Sequence, residues 1–381
     1  MELKMQRSLL KKSRLLRKEK KASSPTKKLL KEPKMPEMLL KTRRRTMRPT
    51  CRLRVIRTDC TDPYVNLAAE EHMTLNAEDG VMTLYLWQNA HTVVIGKNQN
   101  PWRECSVEAI KSDGIYLARR ISGGGAVYHD MGNLNFTFIA KDGLFDIGRQ
   151  TDVILLACRL LGINAAKTGR NDLTAAGRKF SGHAYWSSSG FNYHHGTIMM
   201  DVAEADLSKY LRVPEAKLKS KGVESVRSRV TNLREHVEEP LRSAPAKDLI
   251  AAMQDAMVRA AEREYCCEAV EEPLPAIPQE LLDKYASEEW RLGTRIPFTT
   301  EIEHRFEWGG VEIQLAMKGE YIDGCRIYSD ALETEVFDIV EKLITGRRYD
   351  AGEIHSLREE LPEGTSATAY EILGLIAKSI Q

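Results

Sequence analysis

The sequence predicts an α+β protein: a large mixed-sheet domain followed by a smaller α+β domain. Three observations lead there. Up to about residue 270, short runs of β-branched and aromatic residues alternate with stretches of helical spacing. EEPLPAIP (271–278) then has the composition of a linker. After it come three alternating runs broken by glycine turns, and two helical stretches close the chain.

Taken in order, CRLRVIR (51–57) reads as a strand and runs into the turn signal DCTDPY. NLAAEEHMTLNAED (66–79) spaces its apolar residues as a helix does. TLYLWQ (83–88) and TVVIGK (92–97) are strand-like runs parted by NAH. Residues 105–112 have helical spacing, and GIYLARR (114–120) returns as a strand. NLNFTFIA (133–140) is a further strand, and ILLACRLLG (154–162) is a helix stopped by Gly162. GRNDLTAAGRKFSGHAYW (169–186) and GFNYHHGTIMMDV (190–202) read as strands with tight glycine turns, and residues 203–270 turn helical. In IEHRFEWGGVEIQLAMKGEYIDGCRIYSD (302–330), turns fall at Gly309–Gly310 and Lys318–Gly319. The expected organisation is an extension over 1–46, a large domain over 47–270, a linker over 271–278 and a small domain over 279–381.

The 381 residues, 42% hydrophobic and 29% charged, suit a globular protein with a sizeable core. No apolar run reaches the roughly 18–20 residues that span a bilayer, so no membrane segment is expected. The formal charge of +2 conceals two unlike parts. Residues 1–46 hold 17 Lys and Arg against 4 Glu, which leaves residues 47–381 at −11. A basic tail poor in apolar residues is expected to be disordered, and an acidic body argues against broad nucleic-acid binding. A nucleic-acid arm, a transit peptide and translation from upstream of the true start remain open for the tail. Its lysines and acids fit a transit peptide poorly, and Met47, just before the first strand, is the expected functional start. Seven scattered cysteines without a Cys-x-x-Cys pair point to a reducing, intracellular compartment.

The chemistry concentrates in two segments. RRISGGGAVYHDMGNLNF (119–136) sets three glycines behind two arginines. Backbone without Cβ atoms lets N–H groups approach an anion, and a guanidinium offers a planar fork to phosphate or carboxylate; the plainer reading is a hairpin glycine cluster. The Gly-Lys-Ser/Thr ending of a phosphate loop is missing. Adjacent strand residues face opposite ways, so one of Arg119 and Arg120 is expected to face the loop and the other solvent or a carboxylate. In the second segment Lys179 lies in a strand between small residues. A strand lysine is commonly a solvated face. Here a ligand could lie close, and the ammonium could neutralise a carboxylate and then polarise an acyl carbonyl. Asn171 and Asp172 read either as a turn cap or as a holder of Mg²⁺ near phosphate oxygens.

Other chemistries find less support. His194 and His195 diverge on a strand and no third ligand stands at suitable spacing, so zinc is not expected. Neither Ser122 nor Ser181 sits in a Gly-x-Ser-x-Gly elbow, and Cys105 and Cys158 read as buried thiols.

As a set, DPYVNLAAEE, LWQNAHTVVIGKNQNPWRECS, RRISGGGAVYHDMGNLNFTF, GRNDL with GRKFSGHAYW, HHGTIMMDVAEADLSKYL and KSKGVESVRSRVTNL closely resemble the lipoate–protein ligase A family. HRFEWGGVEIQLAMKGEYIDG resembles the accessory domain of its two-domain members. The resemblance covers the chain from about Met47 to near its end and implies the biotin/lipoyl ligase fold. It implies that lipoate is activated with ATP and Mg²⁺ to lipoyl-adenylate. The lipoyl group then passes to one lysine of an apo lipoyl domain of a 2-oxoacid dehydrogenase complex or of glycine cleavage H protein.

Carried over by motif, Arg120, Gly125, Ala126, Val127, Tyr128, Asn171, Asp172 and Lys179 would contact ATP or the adenylate. Ser122, Gly124, Lys179 and His195 would contact lipoate. Lys179 is the expected catalytic residue, and Asp172 the magnesium ligand. Arg227 and Arg229 would belong to a loop near the adenylate. Two departures bear on the pocket rim or acyl preference: the short LTAAGR segment before Lys179, and His183 where many members carry a small side chain. A monomer is expected, in the cytoplasm, or in mitochondria if the tail is a transit peptide. A transferase or octanoyltransferase without ATP activation, a biotin ligase and a nucleic-acid-binding regulator are the competing functions.

Overall fold

The computed structural model describes residues 51–169, 171–212 and 230–380; the tail with Met47, and Arg227 and Arg229, lie outside the described residues. Strand β1 (Arg52–Arg57) leads to helix α1 (Pro63–Leu75). The Asp62 carboxylate starts that helix by accepting from the Tyr64 and Val65 amides at 2.8 and 3.4 Å, with Pro63 at its first position. Next come β2 (Val81–Trp87), β3 (Thr92–Ile95), α2 (Pro101–Glu104), α3 (Val107–Ser112), β4 (Tyr116–Arg119), β5 (Val127–His129) and β6 (Asn133–Lys141). They are followed by α4 (Ile147–Leu160), β7 (Ala165–Thr168), β8 (Asp172–Ala175), β9 (Arg178–Ser188), β10 (Phe191–Met199), α5 (Glu204–Tyr210), α6 (Ala246–Tyr265) and β11 (Ala269–Glu272).

Eight strands make one sheet in the order β11-β1-β2-β6-β10-β9-β8-β7. It is parallel where β1 meets β11 and β2, and antiparallel across β2-β6-β10-β9-β8-β7. Both faces are covered, and the two-residue period of each strand sorts its side chains between them. Met82, Leu84 and Leu86 of β2 join Phe136 and Phe138 of β6 in a core closed by α4 and α6. Tyr85 and Trp87 face the other way, against Leu67, Ala68 and Ala69 of α1. A small sheet, β4-β3-β5, packs Val94, Ala118 and Val127 against this second core. The glycine segment is the connection from β4 to β5, so it is delivered to the α1 face of the large sheet.

The remaining elements are α7 (Gln279–Ala286), α8 (Glu288–Leu292), β12 (Thr300–Arg305), β13 (Gly310–Lys318), β14 (Tyr321–Ser329), α9 (Glu335–Ile344), α10 (Ala351–Ser356) and α11 (Ala367–Ser379). The antiparallel sheet β12-β13-β14 has its own core, in which Ile313, Leu315 and Ile327 meet Phe337, Val340, Ile372 and Ile376. The division of the chain differs from the sequence expectation in two places. β11 carries the large sheet to Glu272, inside the stretch expected as linker. Helices α7 and α8, expected with the small domain, pack on the large one, with Tyr285 only 1% exposed among Leu67, Ala68 and Tyr193. The apolar face of α7 matches the bare side of α1, and that match decides which unit owns these residues. Three helices rather than two close the chain, and the run at 105–112 is helical only from Val107.

Candidate active site

A cavity of about 310 Å³ opens on the α1 face of the large sheet. Arg120, Gly124, Gly125, Ala126 and Val127 line it together with Asn171, Lys179, Gly182, His183 and His195. Three expected contacts stand apart from it: Ser122, which is fully buried, Tyr128 and Asp172. Tyr128 turns its ring into another core, with its hydroxyl 2.6 Å from His91 Nδ1, because its neighbour Val127 takes the cavity side of β5. Asp172 is off the wall but holds Lys179 Nζ at 2.7 Å from its Oδ1.

The two arginines divide as adjacent strand residues must, but neither meets solvent or a carboxylate. Arg119 donates to the carbonyls of Gly96, Lys97, Gln99, Trp290 and Arg291 at 2.8–3.3 Å. Arg120 donates to the carbonyls of Val94, Gly123 and Gly125 and to Ser122 Oγ at 2.7–3.2 Å, and so shapes the glycine loop from inside. Burial pulls both guanidinium pKa values down to about 10.

The three glycines serve different ends. A Cβ on Gly123 would lie 2.1 Å from the Ala331 oxygen and 2.6 Å from that of Leu332, both in the segment after β14. Gly124, with φ +88°, donates its N–H to the same Ala331 carbonyl at 2.9 Å. Only Gly125 has open space where a Cβ would be, and it faces the cavity. Two of the glycines expected to admit an anion therefore seat the small domain on the loop. Lys97 to Asp338 (2.7 Å) and the Ser329 amide to the Asn98 carbonyl (2.8 Å) extend that contact.

Lys179 reaches the cavity through a local irregularity. Leu173 pairs with Ser181 but Thr174 pairs with Lys179, so Phe180 is an extra residue on β9. Such bulges re-aim side chains. Phe180 enters the main core while Lys179 points to the cavity, its ammonium lying where a Cβ on Gly182 would be 3.1 Å away. Asn171 is tied to β9 by its Nδ2 donating to the His183 carbonyl at 2.9 Å.

The comparisons with known proteins bear on this arrangement. Residues 62–257 match the lipoyl protein ligase A/B catalytic domain, and residues 295–376 match the bacterial lipoate protein ligase C-terminus. The chain belongs to the lipoyl protein ligase A/B family. It is 37% identical over 330 residues to lipoate-protein ligase A of Psychrobacter cryohalolentis, covering 84% of this chain and 96% of that one. The crystal structure of P. falciparum LipL1 in complex with lipoate superposes with a TM-score of 0.71 at 25% identity, over 86% of this chain and 99% of that one. A bi-partite lipoate protein ligase from Thermoplasma acidophilum, studied with its E2 lipoyl domain, gives 0.56 at 26% identity over 65% and 100%. A lipoate-protein ligase A bound with ATP gives 0.54 at 25% identity over 64% and 98%.

In this lipoyl protein ligase the cavity is backed by a buried chain that sequence reasoning missed. Arg120 Nε donates to Ser122 Oγ at 3.1 Å, and Ser122 Oγ lies 2.8 Å from His195 Nε2. His195 Nδ1 is 2.8 Å from Glu70 Oε1, which also accepts from Thr137 Oγ1 at 2.6 Å. The order serine–histidine–carboxylate is that of a hydrolytic triad, but Ser122 is 0% exposed and the nearby Gly124 N–H is already taken by Ala331. A nucleophile needs access and an open oxyanion site, and this hydroxyl has neither. Glu70 sits in a helical run whose spacing marks it only as core-facing, and its partner is 125 positions away.

His194 turns to the opposite face from His195 and meets Gln150 and His183 at 2.9 and 3.0 Å. Burial drives His183 down to about 3 and His194 well below its ordinary value, so both rings are neutral. Burial raises the Cys105 and Cys158 thiols to about 12, which removes both as thiolate nucleophiles. Among the described residues no cluster of three or more His, Cys, Asp or Glu could hold a metal ion. No helix among them is long and apolar enough to cross a membrane.

Proposed function

We infer that the chain is an ATP-dependent lipoate–protein ligase, which activates lipoate to lipoyl-adenylate and transfers the lipoyl group to a lysine of an apo lipoyl domain. The observation that carries the reading is that Lys179 lines one cavity with the Gly125–Val127 segment, whose Gly125 leaves open space where a Cβ would be. Activation requires two anions, a carboxylate and an α-phosphate, to approach each other. Lys179 offsets their repulsion, and Arg120 contributes by holding the loop and by its own buried charge. The acid oxygen bonds to phosphorus and pyrophosphate leaves with the electron pair of the broken P–O bond. In transfer, the acceptor amine bonds to the acyl carbon, AMP departs and the amine proton is released. Lys179 polarises the acyl oxygen, a placement whose loss costs about 10²–10³ in rate in comparable sites. A closed site also favours the neutral acceptor amine by desolvation.

In this reading Gly125, Ala126, Val127 and Asn171 contact the nucleotide, with Tyr128 limited to its backbone. Gly124 and His195 line the acyl path, with Ser122 behind it. Magnesium characteristically binds through one or two carboxylates and substrate phosphates while keeping several waters. Asp172, part-exposed beside Lys179, fits that mode and would hold the ion, which screens phosphate charge when bound. Lipoyl domains of 2-oxoacid dehydrogenase complexes and H protein are the acceptors, and the enzyme works as a monomer. Seven free thiols support a reducing, cytoplasmic setting.

Lipoate-dependent exchange of labelled pyrophosphate into ATP tests the reading without any acceptor protein. Exchange with lipoate, and not with biotin, is expected. No exchange from folded protein, combined with transfer from preformed lipoyl-adenylate, would replace the ligase by a transferase.

A further inference from the structure

The cavity wall contains two polar atoms for which the described structure provides no partner. Asn135 is 1% exposed and His129 3%, and both line the cavity. Neither Asn135 Nδ2 nor His129 Nε2 makes a hydrogen bond. A buried donor left unmade is expensive, and native proteins keep few of them.

The surrounding network makes both atoms donors. Asn66 Nδ2 is identified by two backbone carbonyls, those of Cys60 and Gln88, at 3.1 and 2.9 Å. The same nitrogen meets Asn89 Oδ1 at 3.0 Å, so Asn89 offers Nδ2 to His129 Nδ1 at 3.1 Å. His129 Nδ1 is then an acceptor. Burial lowers the ring's pKa to about 3, so it carries one hydrogen, on Nε2. Asn133 Nδ2 donates to Asn135 Oδ1 at 2.8 Å, which leaves Asn135 Nδ2 as the unpartnered atom of an amide that lines the cavity.

Their setting restricts what could satisfy them. Asn135 stands opposite Trp87 of β2, and the Trp87 indole meets the His129 ring edge-on with centroids 6.4 Å apart. Leu67 and Val94 complete this part of the wall. A trapped water could accept from both donors but would find nothing on Leu67, Val94 or the indole to receive its own hydrogens. A ring sulfur accepts weakly, donates nothing and presents an otherwise apolar surface.

We propose that Asn135 and His129 form a two-donor subsite for a sulfur atom in the tail of the acid, and that they set the preference for a sulfur-bearing acid over a saturated one of the same shape. The identity of the acid as lipoate rests on the ligase reading; the chemistry of the subsite does not.

Calorimetry on the full chain compares lipoate with 5-cyclopentylpentanoate, which has the same chain and ring size without sulfur. Lipoate should bind about tenfold more tightly, the effect of satisfying one or two buried donors. Asn135→Leu and His129→Phe should each move that ratio toward one. Equal binding of the two acids to the wild-type chain overturns the proposal, and so does failure of both to bind. An unchanged ratio in both folded variants also overturns it. The wild-type comparison does not depend on either variant folding. Pyrophosphate exchange is scored separately: a retained binding preference without exchange would sink the ligase reading and leave the subsite standing.

Discussion

Gly123→Ala would measure how closely the small domain is seated on the glycine loop. The new Cβ would lie 2.1 Å from the Ala331 oxygen and 2.6 Å from the Leu332 oxygen, and neither backbone atom can rotate away. One side must retreat by about 1 Å or more to restore ordinary contact. Overpacking of this kind costs about 1–3 kcal/mol. The retreat also breaks the 2.9 Å bond from the Gly124 amide to Ala331, a net loss of about 1 kcal/mol. Together these disfavour the seated arrangement by about 2–4 kcal/mol, a factor of about 30 to several hundred. Hydrogen exchange reads this directly, because the Gly124 and Ser329 amides both bond across the contact. Both should exchange faster by that factor, while amides within β13 keep their protection. Unchanged protection at Gly124 and Ser329 in a folded variant would refute the reasoning.

Two further predictions concern charge. Lys179→Ala should lower lipoyl transfer to an apo lipoyl domain, followed by mass, about 10²–10³-fold. Its effect on the urea midpoint should stay within about 1 kcal/mol, because the side chain is 40% exposed and makes one ion pair; normal turnover would remove it from the chemistry. Glu312 faces Asn100 and Arg103 across the domain contact, and burial outweighs their pull and raises its pKa from 4.5 to about 7. The folded state therefore holds a proton that the unfolded chain has released, so stability should fall as pH rises from about 4.5 through 7. Glu312→Gln should flatten that dependence in urea midpoints between pH 5 and 8, and parallel slopes in variant and wild type would contradict the assignment.

The strands and the Lys179 environment were legible because they are local. Alternation along TLYLWQ assigns Tyr85 and Trp87 to one face, and glycines around Lys179 announce a close approach. What could not be read depends on distant partners. Nothing near Gly123 says that its crowding comes from Ala331, more than two hundred residues on. Arg119 and Arg120 are equivalent as a dipeptide, yet one ties α8 to the turn after β3 and the other builds the loop. Glu70 looks like any core-facing helical position until His195 is folded against it. The ownership of α7 was misjudged because the proline-rich stretch before it marks a break in composition, whereas the break in packing comes after Leu292.

That displaced break changes what the covalent chain contributes. The stretch from Gly293 to Thr299 carries no helix or strand and crosses between two cores that are each complete without it. Severing it would strip no sheet of a strand. The connection acts as a tether, supplying an effective concentration on the order of millimolar for short flexible links, and it adds contacts such as Arg295 over the Trp102 ring at 3.8 Å and the Thr299 amide donating to the Leu315 carbonyl at 2.9 Å. Two separately made polypeptides, 47–293 and 299–381, could then reassemble through Ala331, Asp338 and the acidic partners of Arg103. The quantity of the smaller piece would become a titratable dose, and occupancy of the larger piece would be set by stoichiometry instead of by synthesis in one chain.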